Sequence, residues 1–88
     1  MNNKALYDQI FREVFLLDDE TLDDEDALSV ENWNSLEHFT WIQRLETAFG
    51  IHISEQEIAE TLSYAAGLRM LERNGISLRQ SLLEYPNQ

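Results

Sequence analysis

Residues 34–51 read NSLEHFTWIQRLETAFGI, and the apolar positions of this stretch repeat with the period of an α-helix. At about 100° per residue, one broad face carries four large apolar side chains, Trp41, Ile42, Leu45 and Phe49. The glycine that follows, Gly50, is a typical helix terminator. The stretch therefore predicts a helix from Ser35 to Phe49 that packs its apolar face against a core.

The residues before this helix predict another helix and a long loop. Apolar side chains recur at three- and four-residue spacing at Tyr7, Ile10, Phe11, Val14 and Phe15. This spacing predicts an amphipathic helix from about Asn3 to Leu16. The segment Asp18–Asp26 then holds seven acids in nine positions and predicts a solvated loop. We expect Leu22, Leu28 and Val30 to fix parts of this loop to the core.

The C-terminal half predicts two further helices. Ser54 and Glu57 are spaced to cap each other's backbone amides, and Ile53 and Ile58 are spaced as a hydrophobic staple. This third helix is short, because a fresh helix start follows it, and the fourth helix ends at residues 74–75. The fold is therefore predicted to be all-α, a small four-helix bundle with a long acidic loop between helices 1 and 2.

Composition and charge exclude several function classes. The chain has 88 residues, which predicts one domain, and its 17 acids and 6 bases give a net charge of −11. That charge repels nucleic acids and anionic membrane surfaces, and it favours partners with basic patches. The absence of cysteine excludes disulfides and thiol nucleophiles. Because neither a signal-peptide pattern nor a membrane-spanning run is recognisable, we expect a cytoplasmic monomer.

The sequence contains no recognisable metal site or catalytic set of residues. Counted from Asp18, the acidic loop has Asp23 where a calcium loop needs Gly, and Ser29 where it needs Glu. Two histidines, His38 and His52, without cysteine do not form a metal-binding pattern, and no acid–base pair is visible. We therefore predict a protein that is not an enzyme and holds no metal.

The motif around the second helix resembles the acyl carrier and peptidyl carrier protein family. Residues 33–39 read WNSLEHF, and residues 45–51 read LETAFGI. In that family Asp-Ser-Leu begins the second helix, which closes with Leu-Glu-x-x-Phe-Gly and then Ile or Val. The order of elements is also similar, over about residues 7–75. The resemblance implies a carrier domain of acyl-carrier-protein fold at residues 1–75 and a C-terminal extension at residues 76–88.

The resemblance implies that Ser35 is the attachment site of a covalent 4′-phosphopantetheine arm. A phosphopantetheinyl transferase loads the arm from coenzyme A, and its terminal thiol carries acyl, aminoacyl or ketide cargo as a thioester. Biosynthetic synthases or acyl and aminoacyl ligases are then the partners, and we expect a specialised pathway. A phosphodiester at a helix N-terminus also faces free backbone amides and the positive end of the dipole. The alternative interpretation is that Ser35 only caps the helix.

Three neighbours of Ser35 are predicted to contact the arm, namely Asn34, Leu36 and His38. Asn34 stands where the family has Asp, and it can cap the helix but carries no charge. Loading could therefore be slow, need a dedicated transferase, or not occur. His38 has a structural role as its alternative interpretation, since no catalytic partner is visible in the sequence.

The wet face of the second helix, together with the third helix, is predicted to bind partner enzymes. The residues assigned to this contact are Leu36, Glu37, Thr40, Arg44 and Glu57. Leu36 is predicted to be exposed, and the middle of the face is less acidic than is typical of fatty-acid carriers. Phe39 and Trp41 stand where the family has smaller side chains, so we expect them to reduce any internal tunnel and favour short or exposed cargo.

A second hypothesis treats the chain as an unmodified interaction or adaptor module with a carrier fold. The uncharged Asn34 is the feature that favours this hypothesis. For the C-terminal extension, a helical turn that packs back or docks a partner and a frayed tail both remain open. The turn would be formed by Leu78, Leu82, Leu83 and Tyr85.

Overall fold

The computed structural model describes residues 2–18 and 21–78, and within them the chain is all-α. Its helices are α1 (Asn3–Phe15), α2 (Ser35–Phe49), α3 (Glu55–Glu60) and α4 (Tyr64–Arg73). An isolated antiparallel bridge joins Asp26 to Ser63, and the described residues form no strand. None of the described helices is both long and apolar enough to cross a membrane. The predicted helix order and the short third helix are confirmed.

Side-chain caps define where the helices begin. Each N-cap accepts a hydrogen bond from the backbone amide three residues further on, and these caps are Asn2, Asn34, Ser54 and Ser63. The predicted capping box between Ser54 and Glu57 is present. Left-handed residues follow two helices, Leu16 with φ 59° after α1 and Gly50 with φ 66° after α2. The Gly50 conformation explains why α2 ends where it was predicted to end.

The core is built mainly from aromatic rings between α1, α2 and α4. The three helices bury Tyr7, Ile10, Phe11, Val14, Phe15, Trp41, Ile42, Leu45, Tyr64, Met70 and Leu71. Trp41 is fully buried and packs edge-on against Phe11, with ring centroids 5.4 Å apart. A Cβ at Gly67 would overlap the Tyr7 hydroxyl and crowd the Trp41 ring. The predicted faces of α1 and α2 are therefore the buried ones, although Phe49 is only partly buried.

The loop between α1 and α2 is fixed to the core at two of the three predicted positions. Leu22 and Val30 are buried, at 4% and 5% exposure, whereas Leu28 is 98% exposed. The prediction for Leu28 was wrong for a local reason. The Asp26 carboxylate accepts hydrogen bonds from the amides of Leu28 and Ser29, both at 2.9 Å, and this tight turn carries Leu28 at its tip.

The described part of the C-terminal extension returns to the N-terminal end of α1. Ile76 and Leu78 pack against the core. Asn3 Nδ2 donates a hydrogen bond to the backbone oxygen of Ser77 over 2.9 Å. The remaining residues of the predicted helical turn, Leu82, Leu83 and Tyr85, lie outside the described residues.

Candidate functional site

Ser35 is exposed as the first residue of α2, and the preceding residue caps the helix in its place. Asn34 Oδ1 accepts a hydrogen bond from the Glu37 amide over 3.0 Å. Among the described residues, the Ser35 hydroxyl has no hydrogen-bond partner. The capping role that was the alternative interpretation of Ser35 is thus filled by Asn34. The hydroxyl is open to solvent and available for covalent chemistry.

The N-terminus of α2 leaves an anion-compatible surface beside this hydroxyl. The first amides of a helix have no intrahelical acceptor. Here the Glu37 amide is taken by Asn34, and the His38 amide donates to the Asn34 backbone oxygen over 2.8 Å. The amides of Ser35 and Leu36 bond to no other described residue. A phosphate esterified to Ser35 would therefore meet unpaired donors and the positive end of the helix dipole.

Two apolar side chains of α2 are exposed near Ser35. Leu36 is 72% exposed, as predicted, and Phe39 is 53% exposed. The expectation that Phe39 reduces an internal tunnel was wrong, because its ring lies outside the core. It lines a groove of about 330 Å³ between α2 and α3, whose apolar walls also include Ile42, Ile53 and Ile58. Since Phe39 follows Ser35 by four residues, the groove begins one helical turn from the hydroxyl.

His38 ties the beginning of α2 to α3. Its Nδ1 lies 3.0 Å from Trp33 Nε1, and its Nε2 lies 2.8 Å from the Ile58 backbone oxygen. Indole N–H can only donate, so Nδ1 accepts, and the proton on Nε2 is donated to the carbonyl. Both ring nitrogens are therefore used within the fold. In this geometry neither nitrogen is available to a group attached at Ser35.

Aromatic rings fill the interior behind the site. Trp33 stacks on Phe15 with centroids 4.3 Å apart, and it meets Trp41 edge-on at 5.3 Å. Trp41 also packs against Phe15 at 5.6 Å. The fully buried Trp41 ring occupies the centre of the bundle, in agreement with the expectation that it fills the interior.

The remaining predicted partner-binding residues are spread over two surfaces. Glu37 and Thr40 are half-buried on α2. Arg44, further along α2, donates a hydrogen bond from Nη2 to Glu13 Oε1 over 2.8 Å, and this bond lowers the pKa of Glu13. Arg44 therefore connects α2 to α1 at the surface, away from Ser35.

Glu57 is held within the fold by two neighbours. Its carboxylate accepts from the Ser54 amide at 3.2 Å and from Asn74 Nδ2 at 3.1 Å. The Ser54 hydrogen bond, with a smaller contribution from Asn74, lowers the pKa of Glu57. The capping box was visible in the sequence, whereas the tie from α3 to the end of α4 was not. Its carboxylate is therefore partly used before any partner binds.

The described residues contain no group of three or more His, Cys, Asp or Glu side chains placed to hold a metal ion. Comparison of the chain with models of protein families, with curated proteins and with solved structures found no match in any of the three.

Proposed function

We propose that the chain is a carrier protein of acyl-carrier-protein type, with a 4′-phosphopantetheine arm on Ser35. The observation that carries the proposal is the exposed, unbonded Ser35 hydroxyl at the start of α2, next to a cap supplied by Asn34. In the loading reaction the serine oxygen forms a bond to the pantetheine phosphorus of coenzyme A. The nucleotide part leaves with the bridging oxygen, and the hydroxyl proton passes to a base of the transferase.

The electrostatics of the helix start support an attached phosphodiester. The amides of Ser35 and Leu36 are unpaired among the described residues, and they lie at the positive end of a 15-residue helix. Negative charge at such a position is stabilised by about 0.3–1 kcal/mol at an exposed surface. Esterification therefore stabilises rather than disturbs the beginning of α2. The chain itself catalyses nothing in this role, because partner enzymes make and break the thioester.

The filled interior supports short or exposed cargo. Trp41 is fully buried at the centre, and its rings and those of Phe15 and Trp33 leave no room for a long chain between them. The open groove beside Phe39 offers about 330 Å³, on the surface, one turn from Ser35. A short acyl, aminoacyl or ketide group fits this groove, which supports a specialised biosynthetic pathway in the cytoplasm.

Partner enzymes would dock on the surface around the attachment site. Leu36, at 72% exposure, supplies an apolar contact beside Ser35. The net charge of −11 accelerates encounter with a basic surface. The partners with this chemistry would be the phosphopantetheinyl transferase and the synthases or ligases that fill and empty the arm.

Intact mass spectrometry after co-expression with a broad-specificity phosphopantetheinyl transferase tests the proposal. We expect the wild-type chain to gain the mass of one phosphopantetheine group and Ser35→Ala to gain nothing. Ser29→Ala, which removes another exposed serine, is the matched control and should still be loaded. A wild-type chain that stays bare, or a Ser35→Ala chain that still gains the mass, contradicts the proposal.

The unmodified adaptor remains a second candidate, and Asn34 is the observation that favours it. Asn34→Asp adds a carboxylate next to Ser35 and preserves the cap, since Asp and Asn cap equally well. Under the carrier proposal, this variant should load at least as fast as wild type in the same assay. If wild type and Asn34→Asp both stay bare while retaining the fold, the adaptor role is the one that survives.

A further inference from the structure

A second groove, between α1 and α2, is open along part of the predicted partner-binding face. It measures about 390 Å³, and Leu6 and Ile10 of α1 form its apolar floor. Its α2 wall consists of Thr40, Gln43, Arg44, Thr47 and Ala48. Whatever occupies this groove therefore also controls access to Thr40 and Arg44.

The chain leaves the described region at one end of this groove. The hydrogen bond from Asn3 Nδ2 to the Ser77 oxygen places residue 77 at the N-terminus of α1. Asn3 precedes Leu6 by three residues and Ile10 by seven, so the three side chains share one stripe of the helix. Leu78 itself packs against the core. The segment that follows thus starts beside the groove floor.

The length and pattern of residues 79–88 fit the groove. Fully extended, these ten residues reach about 33 Å, whereas the floor from Asn3 to Ile10 is only about 10 Å long. Leu82 and Tyr85 follow Leu78 by four and seven positions, which is the spacing of one helical stripe. The segment therefore has both the reach and the apolar residues to cover the floor.

The charges are also complementary. Glu84 is the only acid in residues 79–88. The Arg44 side chain on the groove wall is 42% exposed while it pairs with Glu13, so its guanidinium can accept a second carboxylate.

We propose that residues 79–88 bind in the α1–α2 groove, with their apolar stripe against Leu6 and Ile10. Glu84 then lies beside Arg44, and the segment shields part of α2 from partner enzymes until it is displaced. The shielding rests on the proposed carrier function, whereas the binding of the segment does not.

A single spin label tests the binding in the full chain. Because the chain has no cysteine, Asn87→Cys provides one attachment site for a nitroxide. The label is placed in a Ser35→Ala background, so that loading plays no part. We expect the nitroxide to remove most of the amide NMR signal of the groove wall, at Gln43, Arg44 and Thr47. Adding Leu82→Ser and Tyr85→Ser should restore these signals.

Three results would overturn the proposal. They are groove-wall signals unaffected by the label, a signal loss that survives Leu82→Ser and Tyr85→Ser, and a loss centred on the exposed Leu28 and Leu62 instead. Failure of Ser35 to load in the mass experiment would leave this readout intact, so the two proposals fail separately.

Discussion

The indole N–H of Trp33 donates a hydrogen bond to His38 Nδ1 over 3.0 Å, and the two rings stack with centroids 5.9 Å apart. Trp33 also stacks on Phe15 of α1, while the other nitrogen of His38 donates to the Ile58 oxygen of α3. The beginning of α2 is thus attached to α1 and α3 through one pair of rings. Ser35 lies between the two residues of that pair in the sequence and is presented from a fixed support.

Removal of the His38 ring should destabilise the fold. His38→Ala leaves the Trp33 indole N–H and the Ile58 oxygen without partners, and we expect the free energy of unfolding to fall by about 1–3 kcal/mol. Urea denaturation measures the change. The control is His52→Ala, whose side chain is 91% exposed and which should stay within about 0.5 kcal/mol of wild type. Equal losses for the two variants would show that the ring pair has no special structural role.

Gly67→Ala should destabilise the protein even though alanine is the better helix former. In an ordinary helix interior the change gains about 1 kcal/mol. Here the added Cβ would overlap the Tyr7 hydroxyl and crowd Trp41, so we expect a net loss of about 1–3 kcal/mol from overpacking. Adding Tyr7→Phe removes the hydroxyl, and thermal unfolding should show the double variant losing less than the sum of the single losses. Strictly additive losses would be evidence against the overlap.

Glu57 should make stability depend on pH in the acidic range. Its pKa in the folded chain is lowered, chiefly by the Ser54 amide and further by Asn74. Because the folded pKa is below the unfolded value of about 4.5, ionised Glu57 stabilises the fold above that pH. The contribution is lost as the pH falls through the folded pKa.

We therefore expect Glu57→Gln to lower the free energy of unfolding at neutral pH and to approach the wild-type value in acid. Urea titrations at a series of pH values measure both effects. The matched control is Glu72→Gln on α4, an exposed acid whose carboxylate accepts no hydrogen bond from another described residue. A constant gap between Glu57→Gln and wild type at every pH would refute the linkage.

Two leucines of the α1–α2 loop should respond differently to the same substitution. Leu22→Ala removes a side chain that is 4% exposed, and we expect a loss of about 2–5 kcal/mol. Leu28→Ala changes a side chain that is 98% exposed, so its stability should stay within about 0.5 kcal/mol of wild type. Chemical denaturation of both variants decides whether the loop is fixed to the core at Leu22 only.

Local signals explain why α2 could be predicted from Ser35 to Phe49. Its apolar period, its possible caps and Gly50 are all encoded within the helix and its immediate neighbours. The role of Ser35 was ambiguous because Asn and Ser cap helices about equally well, and only the geometry assigns the cap to Asn34.

The features that were missed depend on packing between distant segments. The exposure of Leu28 follows from a turn that is held in place by the Ala27 amide bonding to the Leu62 oxygen over 2.9 Å. The second bond of His38 requires α3 to lie beside α2. The position of Phe39 at a groove likewise depends on where α3 packs, which periodicity within α2 does not reveal.

The separation of the Asn34 cap from the Ser35 hydroxyl has a practical consequence. Since the side chain at position 35 takes no part in closing the helix start, it can be replaced without loosening that end. In a chain with no native cysteine, Ser35→Cys would install one reactive thiol there, to which a fluorophore or crosslinker could be coupled at a defined place on the surface.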